Sequence, residues 1–451
     1  MNLEAEILRR RDMRDILTFT IDPSEAKDFD DAISFAVTDT GDYQVGVHIA
    51  DVTHFVPLGN KVNREAYERG TSVYLVDRVL PMLPEKFCND LCSLRPGEDK
   101  LCMSVIFTLA RDARVLKHKV CRTVIRSDYR LTYAQAQEII NSHISPSIAT
   151  QVAHQSINSE LQEAIRTLNF LAIILRRKRM EAGALDIEQE EMRFRLNEQG
   201  HPVDVYFEQP TEANHLIEEF MLLANRTVAT LLSKTGKEAV FRVHDKPDKE
   251  KLAALHKFER RFGERIPKQT IEMLTIRAMA KAVYSTDNIG HYGLAFDYYT
   301  HFTSPIRRYP DMIVHRLVAK YILGERGAQI DADLPDACEH LSDCEQMATQ
   351  AERDSVKDYQ ILWIQDHIGQ DFDGSIVNVT QYGLFVRLDD THCEGLVPIR
   401  TLSHEDFMEY DEKNFRLVSK RTKKQYVLGD PVRVRVVRAD LDMRQIDFQL
   451  L

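Results

Sequence analysis

Four aspartates, Asp22, Asp28, Asp30 and Asp31, fall within ten residues of the stretch IDPSEAKDFDDA, which runs from Ile21 to Ala32 between apolar runs. Ionised carboxylates this close repel one another, and burial adds to the cost of each. Such a group needs protonation, solvent or a bound cation. A hard cation such as magnesium suits it, because magnesium takes oxygen ligands and keeps several waters, and no Cys or His cluster in the chain offers a softer site. The same carboxylates could hold magnesium or calcium for structure alone, although the regular ligand spacing of a calcium loop is missing. The repulsion does not by itself decide between one ion and two.

A second constellation lies in HYGLAFDYYTHFTSPIRRYPDMIVHR. Here Ser304 reads as a helix N-cap, Pro305 as the first helical residue, and Arg307 and Arg308 as members of the first turn. Two arginines at that end oppose the helix dipole, and an anion would remove the conflict. Backbone N–H groups, the dipole and two guanidinium forks together make a phosphate site. The plainer reading pairs the arginines with acids nearby, Asp311 first among them. A third basic run, Arg176 to Arg179, closes a helical stretch and complements its dipole, with phosphate contact as the alternative.

The elements that must position these residues are legible from periodicity. LTFTI, DAISFAV and YQVGVHIADV read as strands, with a turn at Asp39 to Asp42, so the aspartates occupy a strand-to-strand loop. KLCMSVIFTLA and VLKHKVCRTVIRSDYRLTY continue the β-rich part. Helices follow: one from Ser159, with Ser159 and Gln162 as a capping box and Leu161, Ile165, Leu168, Ala172 and Leu175 on one stripe, then EANHLIEEFMLLANRTVATLL, KQTIEMLTIRAMAKAVY and DMIVHRLVAKYIL. From about Gly369 the pattern changes to five short strands, which suggests a small barrel. Between Lys420 and Arg438 it carries seven bases, Lys420, Arg421, Lys423, Lys424, Arg433, Arg435 and Arg438, against one acid, Asp430. With Phe372, Tyr382 and Phe385 this reads as a surface for stacking bases and tracking a phosphate backbone, or as core aromatics beside an ordinary charged edge.

The 451 residues are enough for two to four domains, or for one large body with an appendage. With 43% hydrophobic and 29% charged residues the composition is that of a soluble globular protein. A net charge of −11 argues against a generic polyanion binder, but local basic stretches and metal ions can outweigh the sum. Seven cysteines, odd in number and without a CxxC pair, fit neither a disulfide framework nor a zinc ribbon, and point to a reducing, cytoplasmic setting. No run of about 18 uncharged apolar residues suggests a membrane span.

TIDPSEAKDFDDA, then GTSVYLVDRVLPMLPEKFCNDLCSLRPGEDKLCMS, then HYGLAFDYYTHFTSPIRRYPDMIVHR resemble, in that order, the catalytic RNB domain of the RNase II and RNase R exoribonucleases. The HFTSPIRRYPD wording is closer to RNase R. The terminal FDGSIVNVTQYGLFVRL resembles the OB-fold of the ribosomal S-one type that follows it. The resemblance implies an α+β chain: an RNB catalytic domain over residues 1–366, with a β-sheet region and helices around an RNA channel, then a five-stranded OB-fold barrel over 367–451. It begins almost at Met1, without the cold-shock domains and the lysine-rich tail of other members.

By the same resemblance the chain is a processive 3′→5′ exoribonuclease that threads single-stranded RNA and releases nucleoside 5′-monophosphates. The alternative is an inactive RNA-binding protein that keeps the fold. Magnesium, as one or two ions with manganese as a substitute, would be held by Asp22, Asp28, Asp30 and Asp31, with Asp22 and Asp31 as the main ligands and Asp30 most needed for cleavage. Arg307 would contact the scissile phosphate, and Arg308 is a weaker candidate for the same contact. Tyr74 would stack on a base near the 3′ end, Tyr133 and Glu218 would read the ribose, and Tyr382 and Phe385 belong to the RNA-binding barrel. The partner implied is the single-stranded 3′ end of an RNA, with no membrane or obligate protein partner; the family default is a monomer. One departure stands out: where members carry a Phe that sandwiches the terminal bases, the nearest residue here is Ile187.

Overall fold

The computed structural model describes residues 3–142, 158–185, 190–248, 253, 260, 275, 279–331, 333–402, 408–411 and 416–451. Ile187 and ten of the seventeen residues of the helix read from KQTIEMLTIRAMAKAVY lie outside them; at the end of that stretch the structure has a short strand, Val283–Ser285, where the sequence reads as helix.

The amino-terminal part is built on one twisted sheet. Its strands are β1 (Thr18–Asp22), β2 (Asp31–Val37), β3 (Tyr43–Ala50), β4 (Asp99–Leu109), β5 (Val115–Arg126) and β6 (Tyr129–Thr132). With the edge strand Arg11–Asp12 they make seven, in the order Arg11–Asp12, β5, β4, β3, β2, β1, β6. β2 to β5 pair antiparallel, β2 with β3 and β4 with β5 as hairpins and β3 with β4 across the long connection of residues 51–98, while β6 returns parallel to β1. The central strands β3 and β4 are buried on both faces, so β4 carries a continuous apolar run at Val105, Ile106 and Phe107, while β3 alternates Val45, Val47 and Ile49 with the buried Gly46 and His48. The register sets Asp31 opposite Ile49 at one end of β2, and the parallel pairing sets Asp22 beside Thr132.

Helix α1 (Tyr133–Asn141) starts directly after β6 because Thr132 and Gln135 close a reciprocal cap: Gln135 N–H donates to Thr132 Oγ1 at 3.2 Å and Thr132 N–H to Gln135 Oε1 at 2.9 Å. Tyr133 is thereby fixed in the first turn, next to Asp22. Helices α2 (Ser159–Glu181) and α3 (Glu212–Lys234) pack on one another beside α1. The cap of α2 is Asn158, whose side chain accepts from Leu161 N–H at 2.8 Å, one residue before the Ser159 box read from the sequence. Leu161, Ile165, Leu168 and Ala172 are buried as the stripe predicts.

Helix α4 (Tyr309–Leu317) begins later than the sequence suggests. Arg308 occupies its cap position and Pro310 its first turn, so Arg307 and Arg308 lie in a tight turn ahead of the helix, not inside it. The break falls at Arg308, which is extended and pairs with Thr71, while Ser72 N–H donates to Arg307 O at 3.0 Å and Tyr309 N–H to Gly70 O at 2.9 Å, so the helix starts only after this distant segment has been met.

The 32-residue helix α5 (Leu334–Gln365) leads to the barrel, and its Ile361 and Ile364 are buried in the barrel's own core with Phe448 and Val434. Five strands close that barrel: β7 (Asp371–Thr380), β8 (Gly383–Leu388), β9 (Glu394–Pro398), β10 (Pro431–Asp440) and β11 (Gln445–Leu450), in the order β7, β8, β9, β11, β10. Gly383, at φ +147°, has no room for a side chain, since a Cβ would stand 2.1 Å from Val397 O. The architecture is mixed α and β with a terminal five-stranded barrel. Among the described residues all seven cysteines are free, and no helix is long and apolar enough to cross a membrane.

Candidate active site

The aspartate loop between β1 and β2 is held at every few residues. Arg130, on β6, donates from Nη2 to Pro23 O at 2.7 Å and to Ser24 O at 2.9 Å, and its guanidinium lies over the Phe29 ring. Ser93 accepts from Phe29 N–H at 3.0 Å and donates to Lys27 O at 2.7 Å. Ala50 N–H donates to Asp30 O at 2.9 Å. Neither Arg130 nor Ser93 stood out in the sequence as a site residue; Ser93 lies in the CSLRP part of a motif whose task is now visible as bracing this loop.

The turn at residues 304–308 meets the loop through Asp30. Ile306 N–H donates to Asp30 Oδ1 at 2.8 Å, and Arg307 Nε stands 3.5 Å from Asp30 Oδ2. The other side of the turn is fixed by Gly70 to Ser72: Ser72 N–H donates to Arg307 O at 3.0 Å and Tyr309 N–H to Gly70 O at 2.9 Å. Gly70 is required there, because at φ +68° a Cβ would meet Cys344 Cβ at 2.5 Å. Arg307 donates from Nη2 to Ser304 Oγ at 2.9 Å and leaves 43% of its side chain exposed, so it has charge to offer a ligand. Arg308 is otherwise engaged. Its Nε and Nη2 donate to the fully buried Asp311 at 3.0 and 2.9 Å, the plainer of the two readings of this arginine pair.

Electrostatics draw the aspartates into one group. Burial pushes the Asp22 carboxyl up to about 7, with the Asp31 charge adding to the effect. Burial pushes Asp31 up to about 6 against the opposing charges of Arg307 and Arg308. Burial also raises Asp28, and it holds Asp30 well above the usual carboxylate range despite Arg307. Tyr133 and Tyr74 belong to the same surroundings. Burial raises both phenols; Asp31 and Asp22 add to the shift of Tyr133, Asp28 and Asp30 to that of Tyr74, and Arg307 opposes both. Tyr74 is 41% exposed and its N–H donates to Glu352 Oε1 of α5 at 2.9 Å.

The donor set can be tested for a cation. Asp22 Oδ2 and Asp30 Oδ2 are buried and without a hydrogen-bond partner, which is costly for a carboxylate unless a proton or a cation meets it. Among the described residues no three His, Cys, Asp or Glu side chains converge closely enough to cage a metal alone. Magnesium needs no such cage, since it keeps waters and shares oxygens with a phosphate. The all-oxygen, negatively charged loop fits it.

Glu218 and the barrel residues lie on other elements. Glu218, on α3, is bridged by His215 Nδ1 at 3.4 Å and Arg179 Nη2 at 3.3 Å. Burial would raise its carboxyl, but the His215 hydrogen bond and the Arg179 charge hold it below the usual value. Arg179 is buried against Glu219 at 2.5 Å, so the basic run of α2 is partly structural. On the barrel, Tyr382 is 67% exposed and Phe385 half-buried, while Phe372 packs inward near Trp363. The basic stretch is less free than its composition suggests: Arg435 is paired with Asp371 at 2.6 Å, Arg433 with Asp373 at 3.8 Å, Arg438 with Asp440 at 2.5 Å and Lys420 with Glu409 at 3.8 Å, acids supplied mostly by neighbouring strands.

Comparison with known proteins supports these assignments of architecture. The RNB domain family matches residues 10–324 and the S1 RNA binding domain family residues 365–450. Ribonuclease R of Aquifex aeolicus is 40% identical over 99% of the chain, and Ribonuclease R of Thermotoga maritima 39% over 99%. The chain spans 66% of the length of each of these relatives. Mycoplasma genitalium RNase R, solved in complex with ribose methylated single-stranded RNA, superposes with a TM-score of 0.90 at 26% identity, covering 100% of this chain and 73% of that one. By these matches the chain belongs to the RNB-domain family, is most like its Ribonuclease R members, and carries an S1 RNA-binding domain at its carboxyl end.

Proposed function

We propose that the chain is a 3′→5′ exoribonuclease that hydrolyses single-stranded RNA processively to nucleoside 5′-monophosphates, in the cytoplasm, as a monomer, with residues 1–366 as the catalytic body and 367–451 as the RNA-holding barrel. The observation that carries the reading is the seam at Asp30: a loop of four aspartates and a turn bearing a half-exposed Arg307 are locked together by the Asp30–Ile306 hydrogen bond. Opposite charges meet along this seam, with Arg307 Nε 3.5 Å from Asp30 Oδ2, an arrangement that a phosphodiester and a cation can share. The RNA in the Mycoplasma genitalium structure supports RNA as the partner here.

Magnesium held among Asp22, Asp28, Asp30 and Asp31 would supply Lewis-acid polarisation and neutralise charge at the phosphate. The chain's own residues do the rest. Arg307 places fixed positive charge where negative charge accumulates on the phosphate, and needs no reorganisation because Ser304, Ser72 and Asp30 already hold its turn. Asp30 spends one oxygen on Ile306 and keeps the other for the reacting region. Tyr74, exposed beside the loop, stacks on a base near the 3′ end. Tyr133 and Glu218 read the ribose. Tyr382 and Phe385 hold the incoming strand on the barrel, each stacked base contributing about 1–3 kcal/mol.

The test is direct: incubate the protein with magnesium, or with EDTA, and with 3′-blocked, 5′-blocked, single-stranded and duplex RNAs, then resolve the products. Mononucleotides released only from an accessible 3′ end, and only with the metal, are expected. Internal cuts, release from the 5′ end, or tight RNA binding without any hydrolysis would overturn the proposal, the last in favour of an RNA-binding protein that keeps the fold.

A further inference from the structure

Asn225 lies in the middle of α3, 3% exposed, where a polar side chain is costly unless every group on it is used. All of them are. Its Oδ1 accepts from Phe302 N–H at 2.9 Å, and its Nδ2 donates to Tyr299 Oη at 3.3 Å and Thr303 Oγ1 at 3.4 Å. Phe302 is held through its carbonyl as well, since His315 Nε2 of α4 donates to Phe302 O at 2.8 Å. Two residues later the chain enters the turn that carries Arg307, with Ser304 accepting from Arg307 Nη2.

On the same helix Glu218 stands seven residues earlier, two turns away and on the same face within about 20°. It is anchored there by His215 and Arg179. One rigid element therefore carries the carboxylate proposed to read the sugar and the amide that fixes the approach to the phosphate-contacting turn. We infer that Asn225 is a positioning residue for sugar selectivity: it ties the height of Glu218 to that of Arg307, so that a nucleotide whose ribose is read correctly also presents its phosphate to the guanidinium. Asn225 touches neither sugar nor phosphate in this role. The inference rests on the exoribonuclease reading and deepens it.

The discriminating quantity is the ratio of kcat/KM for an oligoribonucleotide to that for the same oligomer with a single 2′-deoxy sugar at its 3′-terminal nucleotide. Asn225→Ser, which adds no bulk, and Asn225→Leu, which approximates the volume without polarity, are measured beside wild type, and each is combined with Glu218→Ala. The ratio is expected to fall at least tenfold in either single variant, through kcat more than KM. The effect of Glu218→Ala on the ratio is expected to shrink to within twofold in the Asn225→Ser background, because coupled groups are non-additive. A ratio within twofold of wild type in the variant that folds, however slow that variant is, would overturn the inference and leave Asn225 as packing support. An additive double variant would overturn it equally. A wild-type chain that releases no mononucleotide from either oligomer defeats the exoribonuclease reading itself, a result distinct from both.

Discussion

Asp30 and Ile306 are joined by a 2.8 Å hydrogen bond between a carboxylate oxygen and a backbone N–H, 276 positions apart in sequence. The bond splits the carboxylate by task. Oδ1 holds the arginine turn, and Oδ2, buried and without a hydrogen-bond partner, stands 3.5 Å from Arg307 Nε, where the proposed reaction would use it.

Asp30→Asn separates the two tasks. The amide keeps a carbonyl oxygen for Ile306 N–H but removes the negative charge, so the fold and the RNA contacts persist. Hydrolysis of a 3′-overhang oligoribonucleotide should fall by about 10³-fold or more, with RNA affinity within twofold of wild type by filter binding. A wild-type rate in the variant sinks the assignment.

Arg307 and Arg308 are neighbours with different work, and substitution should show it. Arg307→Ala removes the charge 3.5 Å from the buried Asp30 Oδ2, but Ile306 N–H still holds Oδ1 and burial already raises that carboxyl toward its neutral form, so the melting temperature should change little, while turnover drops by about 10²–10³ from the loss of one preorganised contact. Arg308→Ala strands Asp311, which is fully buried, and should destabilise the fold by about 3–5 kcal/mol. Urea unfolding and steady-state rates on the two variants check both statements. Equal stability losses would show that the two arginines are not divided in this way.

Much of this was readable in the chain. The alternation of LTFTI, DAISFAV and YQVGVHIADV marks three strands, the turn at Asp39 to Asp42 joins the second to the third, and the aspartates fall in the loop between the first two. What escaped has a common cause: contacts between distant segments. Pro305 after Ser304 reads as a helix start, yet Gly70 to Ser72 pair with Arg307 to Tyr309 and delay α4 to Tyr309. The barrel's bases look unopposed along the chain because Asp371 and Asp373 arrive from the paired strand β7. Asn225 and Arg130 have no local signature, since a buried amide in a helix and an arginine in a short strand become informative only when their partners at Phe302 and Pro23 are known.

Glu218 is half-exposed and already in its charged form's favour, because His215 and Arg179 hold it below the usual carboxyl range against the effect of burial. An acceptor of that kind can discriminate a 2′-hydroxyl from a hydrogen. Glu218→Ala should therefore relax selectivity, raising the affinity for an oligodeoxyribonucleotide relative to its ribo-counterpart by about tenfold, the value of one charge-assisted hydrogen bond. Competition binding with the two oligomers measures it. Unchanged relative affinity removes Glu218 from sugar reading.

His48 gives the fold a defined acid sensitivity. It is fully buried in the sheet, with Nδ1 2.8 Å from Ser104 Oγ and Nε2 2.8 Å from Ser34 Oγ, and burial, with a smaller effect of the Arg11 charge, pulls its pKa down to about 3. In the unfolded chain the imidazole titrates near its ordinary value, about 6.5. Between those two values the unfolded state binds a proton that the folded state refuses, so stability rises with pH there. The contribution is complete above pH about 6.5 and is lost as pH falls toward 3, at a slope of about 1.4 kcal/mol per pH unit. His48→Gln keeps a hydrogen-bonding side chain without the titration. Urea unfolding at pH 7.5, 6, 5 and 4 should show wild type losing stability more steeply than His48→Gln by that slope once pH drops below 6.5, with parallel behaviour above 7. Parallel curves over the whole range would mean that His48 becomes protonated inside the folded sheet, with Ser34 and Ser104 rotating to accept from it.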